Sequence, residues 1–117
     1  MKERKDERHT HGDFMRVTDN FTHELLGYLS EISLGGFRLE SPKALKVKND
    51  YTLRLEFTTE AVDRPYVVVV ARVKWLRPDP ITPNEYIAGF QIVSISPSEQ
   101  EVYQGIVDKY GPPPHKW

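Results

Sequence analysis

Tyr51-Thr52-Leu53-Arg54-Leu55-Glu56-Phe57 alternates apolar and polar side chains without a break. Successive side chains of an extended chain point to opposite faces. Tyr51, Leu53, Leu55 and Phe57 therefore share one face, and Thr52, Arg54 and Glu56 share the other. A helix would scatter the same residues around its circumference. The stretch reads as a strand with one face on a core and one in water.

The runs on either side keep this habit. Upstream, Phe37-Arg38-Leu39-Glu40 alternates and stops at Ser41-Pro42, and Gly35-Gly36 separates it from a long strand over Glu24 to Ser33. Gly27 inside that strand marks a bulge or bend. Phe14-Met15-Arg16-Val17 is a short strand, and Thr18-Asp19-Asn20 supplies turn chemistry. Downstream, Tyr66 to Leu76 is β-branched and long, with Arg72 and Lys74 on its outer face. Tyr86 to Ile95 is a further strand with Gly89 in its interior. No helical period interrupts these runs. Consecutive antiparallel strands with glycines at bends predict a mainly all-β fold, closed into a small barrel that leaves no sticky edges.

One helix is expected after the strands, over 96–110. Ser96 suits the N-cap, Pro97 the first helical position, and Glu99 completes a capping box. Val102, Ile106 and Tyr110 form a stripe, with Tyr103 and Val107 beside it, that packs on the barrel. Gly111 is the expected stop, and Pro112-Pro113-Pro114 bars continuation. The chain thus divides into a polar arm (1–12), a barrel with its helix (13–111) and an extended tail (112–117).

At 117 residues this is one domain, and 38% hydrophobic with 28% charged residues is an ordinary globular balance. A net charge of -1 gives no basic field for nucleic acid, so an anion must be caught by a local cluster. Without cysteine there are no disulfides, thiol catalysis or cysteine metal sites, which fits a reducing compartment. The longest apolar run, Val67 to Ala71, is too short to span a membrane. The charged N-terminus does not read as a signal peptide, and a cytoplasmic location is expected.

Two patterns carry chemistry. Arg4-Lys5-Asp6-Glu7-Arg8 places two rigid guanidinium forks four residues apart, suited to phosphates or guanine edges, and Lys5 adds charge without the planar geometry. Glu31-Ile32-Ser33-Leu34-Gly35-Gly36 closes a strand and opens a turn. There a carboxylate can accept from a guanine edge or orient an arginine, and Ser33 can donate to a ligand oxygen. Gly35 and Gly36 let a ligand approach the backbone. Trp75 either packs at the core or rim of the barrel or offers its ring to a purine. His9, His11 and Asp13, with His23 remote, have a spacing that a metal would accept if extended. No triad order, P-loop or dinucleotide fingerprint is present, so catalysis is not expected.

Together these residues resemble the PilZ family of bacterial cyclic di-GMP receptors, whose signature is Arg-x-x-x-Arg followed by Asp/Asn-x-Ser-x-x-Gly. Arg4 and Arg8 match the first half, and Glu31, Ser33 and Gly36 occupy the second. Ala71-Arg72-Val73-Lys74-Trp75 is similar to a later strand of the family, and Ala88-Gly89-Phe90 to its last. The resemblance implies a six-stranded antiparallel barrel with a C-terminal helix and an arginine arm that wraps the dinucleotide against the barrel. Arg4 and Arg8 would then grip guanine and phosphate, while Ser33 and Gly36 line the surface. Glu31 departs from the family's Asp or Asn, and the extra methylene moves the carboxylate outward.

The implied function is that of a non-enzymatic cyclic di-GMP sensor without other cofactors. It would act on a downstream protein partner as a monomer or weak dimer, without nucleic acid or membrane insertion. The alternatives are a PilZ-like interaction module that has lost the nucleotide and a single-strand nucleic-acid binder. The near-neutral charge argues against the last.

Overall fold

The computed structural model describes residues 15–56 and 66–111. Among them are six strands: β1 Arg16–Asp19, β2 Leu25–Ile32, β3 Gly36–Ser41, β4 Asp50–Glu56, β5 Tyr66–Pro78 and β6 Tyr86–Ser94. One helix follows, α1 Pro97–Tyr110. The strands form a closed barrel in the order β1-β2-β3-β6-β5-β4, with every pair antiparallel. The expected fold class is thus observed. The alternation that opened the sequence reading holds in β4: Leu53 and Leu55 are fully buried, while Arg54 and Glu56 lie on the outer side. Phe57 lies outside the described residues.

The order is not a simple meander. β3 lies beside β6, and the chain reaches β4 by crossing one barrel end, where Leu45 is buried in the core cluster. Inside, Phe37 and Phe90 stack at 5.2 Å between centroids, and Tyr51 meets Phe90 edge-on at 6.3 Å. The helix covers the barrel through Tyr103 and Ile106, both buried, with Val102 and Val107 half-buried beside them. The expected face is thus the one that packs, with Ile106 on the stripe and Tyr103 beside it most deeply buried. The Tyr110 side chain is not among those described.

Several local expectations change in detail. Thr18 and Asp19 belong to β1, because both pair with β4, and the turn begins at Asn20. Asp19 still supplies the turn chemistry: its carboxylate accepts from the amides of Phe21 (2.8 Å) and Thr22 (3.0 Å). Ser96 is the N-cap of α1 without a side-chain cap bond, and Glu99 Oε1 accepts from the Val68 amide at 3.0 Å. The helix thus docks on β5 through the residue expected to close a capping box. Gly111 ends the helix with extended backbone, not a left-handed turn. A Cβ there would press on the Val107 and Ile32 carbonyls, so the glycine serves close approach.

The Asp19 contacts have a pH consequence. The Thr22 amide, foremost, holds the carboxyl below its ordinary value of 3.8. A depressed folded pKa contributes stability that is complete above the unfolded value and is lost as pH falls through the folded one. Melting temperature should therefore drop on acidification below about pH 4. Asp19→Asn should flatten that slope. An unchanged acid slope in the variant would refute the turn's part in it. Asp50, held low by its hydrogen bond to Arg72, acts in the same direction.

Candidate ligand groove

β2 and β3 meet with one irregularity. Leu29 pairs with Leu39 but Glu31 pairs with Arg38, so Ser30 is extra. Its hydroxyl bonds the Arg38 carbonyl at 3.1 Å. The bulge aims Glu31 outward and returns Ile32 to the core. The turn that follows is tied internally: the Ser33 amide and hydroxyl both donate to the Gly36 carbonyl, at 2.9 and 3.3 Å.

The same turn is tied to the rest of the molecule. The Tyr103 hydroxyl reaches from the helix to the Ser33 carbonyl at 2.6 Å and the Gly36 carbonyl at 3.2 Å. The Ile92 amide donates to the Gly35 carbonyl at 2.9 Å. Burial pushes the Tyr103 phenol far above its usual range, so it stays a donor. Tyr103→Phe should lower unfolding free energy by about 0.5–1.5 kcal/mol, the usual net value of an intramolecular hydrogen bond. Denaturant titration reads this directly; equal midpoints would mean the bond adds nothing.

The two glycines of the turn differ in kind. A Cβ on Gly36 would sit well under 3.0 Å from the Phe90 carbonyl oxygen, whereas one on Gly35 would meet nothing within 4 Å. Gly36 is thus required by the neighbouring strand β6, before any ligand is considered.

A second bulge shapes the far wall. Along β5, Val67, Val69, Ala71 and Val73 are buried in turn, and the register then shifts between Val73 and Trp75. Leu76 takes the inward place, and Trp75 emerges on the outer face opposite Gly89. Its indole lies directly on Gly89, where any side chain would collide with the ring. Trp75 is therefore not part of the barrel core.

These features bound a groove of about 540 Å³ on the outer face of β2, β3, β6 and β5. Five of the residues singled out from the sequence line it: Glu31, Ser33, Gly35, Gly36 and Trp75. Arg4, Lys5 and Arg8 lie outside the described residues, as do His9, His11 and Asp13. The groove also gathers Arg38, Lys74 and Gln91. Outward placement of Arg38 and Lys74 was visible in the alternation; Arg38 is near the Ser33 turn through the β2–β3 hairpin itself, whereas the nearness of Lys74 depends on β6 lying between β3 and β5. Glu31 pairs with Arg38 at 3.2 Å, both well exposed, an ion pair worth under about 1 kcal/mol in water. With Glu31 neutralised by Arg38, Lys74 leaves the lining with a net positive character. That single excess charge suits an anionic group.

The family model for the PilZ domain matches residues 3–109. The chain belongs to the PilZ domain family. Solved structures that share its fold include the following two. The PilZ domain of YcgR from Escherichia coli, a structure with c-di-GMP, matches with a TM-score of 0.65 at 15% identity, over 86% of this chain and 82% of that one. The Bacillus subtilis inhibitor of motility MotI/DgrA matches with a TM-score of 0.64 at 16% identity, over 82% of this chain and 46% of that one. No curated protein sequence matches this PilZ domain. Among the described residues no helix is long and apolar enough to cross a membrane, and no metal-ligand cluster forms.

Proposed function

We propose that this PilZ domain is a cyclic di-GMP sensor that binds the dinucleotide in the groove between Ser33 and Trp75. The observation that carries the reading is the meeting, in one groove, of Glu31, Ser33 and Gly36 with an outward-facing indole and the cations Arg38 and Lys74. The match to the family begins at residue 3, so it includes Arg4 and Arg8. In this reading the arm over 1–12 folds across the groove, and both arginines fork onto phosphate or guanine. The ordering cost of the arm is offset by these charge-assisted contacts, as in coupled folding and binding. The ordered arm then presents a new surface to a protein partner in the cytoplasm, with no chemical conversion of the ligand.

Titration calorimetry with cyclic di-GMP tests the reading. At a hundredfold excess over Kd, binding stabilises the fold by about 2.7 kcal/mol, which raises the melting temperature by about 10 °C. No heat and no shift at saturating micromolar ligand would reject it.

One observation favours a second reading, an interaction module without nucleotide. Glu31 stands where the family has Asp or Asn, and Arg38 already engages its carboxylate. Losing alignment with a guanine edge would cost on the order of 1–3 kcal/mol. A protein partner retained equally with and without cyclic di-GMP, and by the chain lacking both arginines, would select this reading.

A further inference from the structure

The Ser33–Gly36 turn does not close itself on both sides. A turn of four residues often carries a bond from the amide of its fourth residue to the carbonyl of its first. Among the described residues, however, the Ser33 carbonyl accepts no backbone amide. It accepts the Tyr103 hydroxyl at 2.6 Å, and the same hydroxyl lies 3.2 Å from the Gly36 carbonyl. The partner that completes the turn thus comes from α1, 70 residues along the chain from Ser33.

Ser33, Gly35 and Gly36 line the groove, and Tyr103 lies off it, buried on α1. The hydroxyl therefore acts on the groove only through the backbone that it holds. A peptide group is planar, so fixing the direction of a carbonyl also fixes the N–H across from it. The bond to Tyr103 sets the Ser33–Leu34 and Gly36–Phe37 planes in this way. The remaining carbonyl, that of Gly35, is held by the Ile92 amide at 2.9 Å. No carbonyl oxygen of these three lining residues is left without a donor to repel an anionic ligand. Two adjacent glycines give the segment wide backbone freedom, so ties from outside must choose among its conformations.

We infer that Tyr103 is a positioning residue for the groove: its hydroxyl selects the turn conformation in which Ser33, Gly35 and Gly36 receive the dinucleotide. The inference rests on the cyclic di-GMP reading and adds to it a residue of α1 that never touches the ligand. Coupling of this kind is reciprocal. Ligand seated on the turn therefore strengthens the hold of Tyr103, and occupancy of the groove favours docking of α1.

The test compares cyclic di-GMP affinities by calorimetry on the full chain, at a temperature well below every melting midpoint. Tyr103→Phe keeps the buried ring and removes only the hydroxyl. The net worth of one hydrogen bond shifts an equilibrium about two- to tenfold. Apparent Kd rises as the competent fraction of the turn falls, so Tyr103→Phe should bind about two- to tenfold more weakly. Ile106→Val is the control, since it trims a fully buried side chain of the same helix without reaching the turn. It should lower the melting temperature by a similar amount and leave Kd unchanged. Affinity equal to that of the unaltered chain, or weakened no more than in Ile106→Val, overturns the positioning role alone. Absence of binding to the unaltered chain overturns the cyclic di-GMP reading and this inference with it.

Discussion

Gly36→Ala is expected to lower the melting temperature by roughly 10–20 °C, while Gly35→Ala, one residue earlier, changes it little. The added methyl at Gly36 has to occupy the space of the Phe90 carbonyl oxygen, which is backbone and cannot rotate away. Strands β3 and β6 pair from Gly36↔Gln91 through Ser41↔Tyr86, so relief requires the first rungs of that ladder to part. Overpacking of this kind costs about 1–3 kcal/mol, and each kcal/mol moves the midpoint of a domain this size by several degrees. The Gly36 turn also loses its hold on Tyr103, whose hydroxyl bonds the Ser33 and Gly36 carbonyls. At Gly35 the methyl projects into open space. Equal melting temperatures for the two variants would show that β6 does not approach Gly36 as described.

Arg4→Ala combined with Arg8→Ala is expected to remove cyclic di-GMP binding from calorimetric detection without moving the melting temperature of the ligand-free chain. Each arginine in the proposed arm makes charge-assisted hydrogen bonds worth about 1.5–3 kcal/mol, so each loss weakens binding about tenfold to a hundredfold. Removing both multiplies the two factors. Surface substitutions away from packed features change stability by about 0.5 kcal/mol or less. Ser33→Ala would be a milder companion, since its hydroxyl already donates within the turn. Affinity unchanged by the double substitution would place the dinucleotide away from the arm and leave the barrel groove to act alone.

Much of the site could be read before the fold was known. Glu31, Ser33, Gly35 and Gly36 are contiguous, so the same strand-to-turn junction carries them wherever the strand goes. Arg38 faces outward because it sits between Phe37 and Leu39 on an alternating strand, and that too is local. Trp75 is the contrary case. Counting by twos from Val67 through Val73 places it in the core, and the register shift after Val73 turns it out onto Gly89. Ser96 and Glu99 look like a capping box in the sequence, yet Glu99 bonds the Val68 amide, a partner 31 residues away.

The amino-acid order alone determined the strands, the turn at Ser33–Gly36, the terminal helix and the family signature. Each of these depends on periodicity, backbone freedom and residue type within a few positions. Only the folded chain decided that β3 lies against β6, that Trp75 leaves the core, and that Tyr103 clamps the turn. Strand register depends on which cross-strand partners bury the most apolar surface, and a one-residue slip sends every later side chain to the opposite face. That choice is made between segments far apart in the chain, so it belongs to the barrel as a whole.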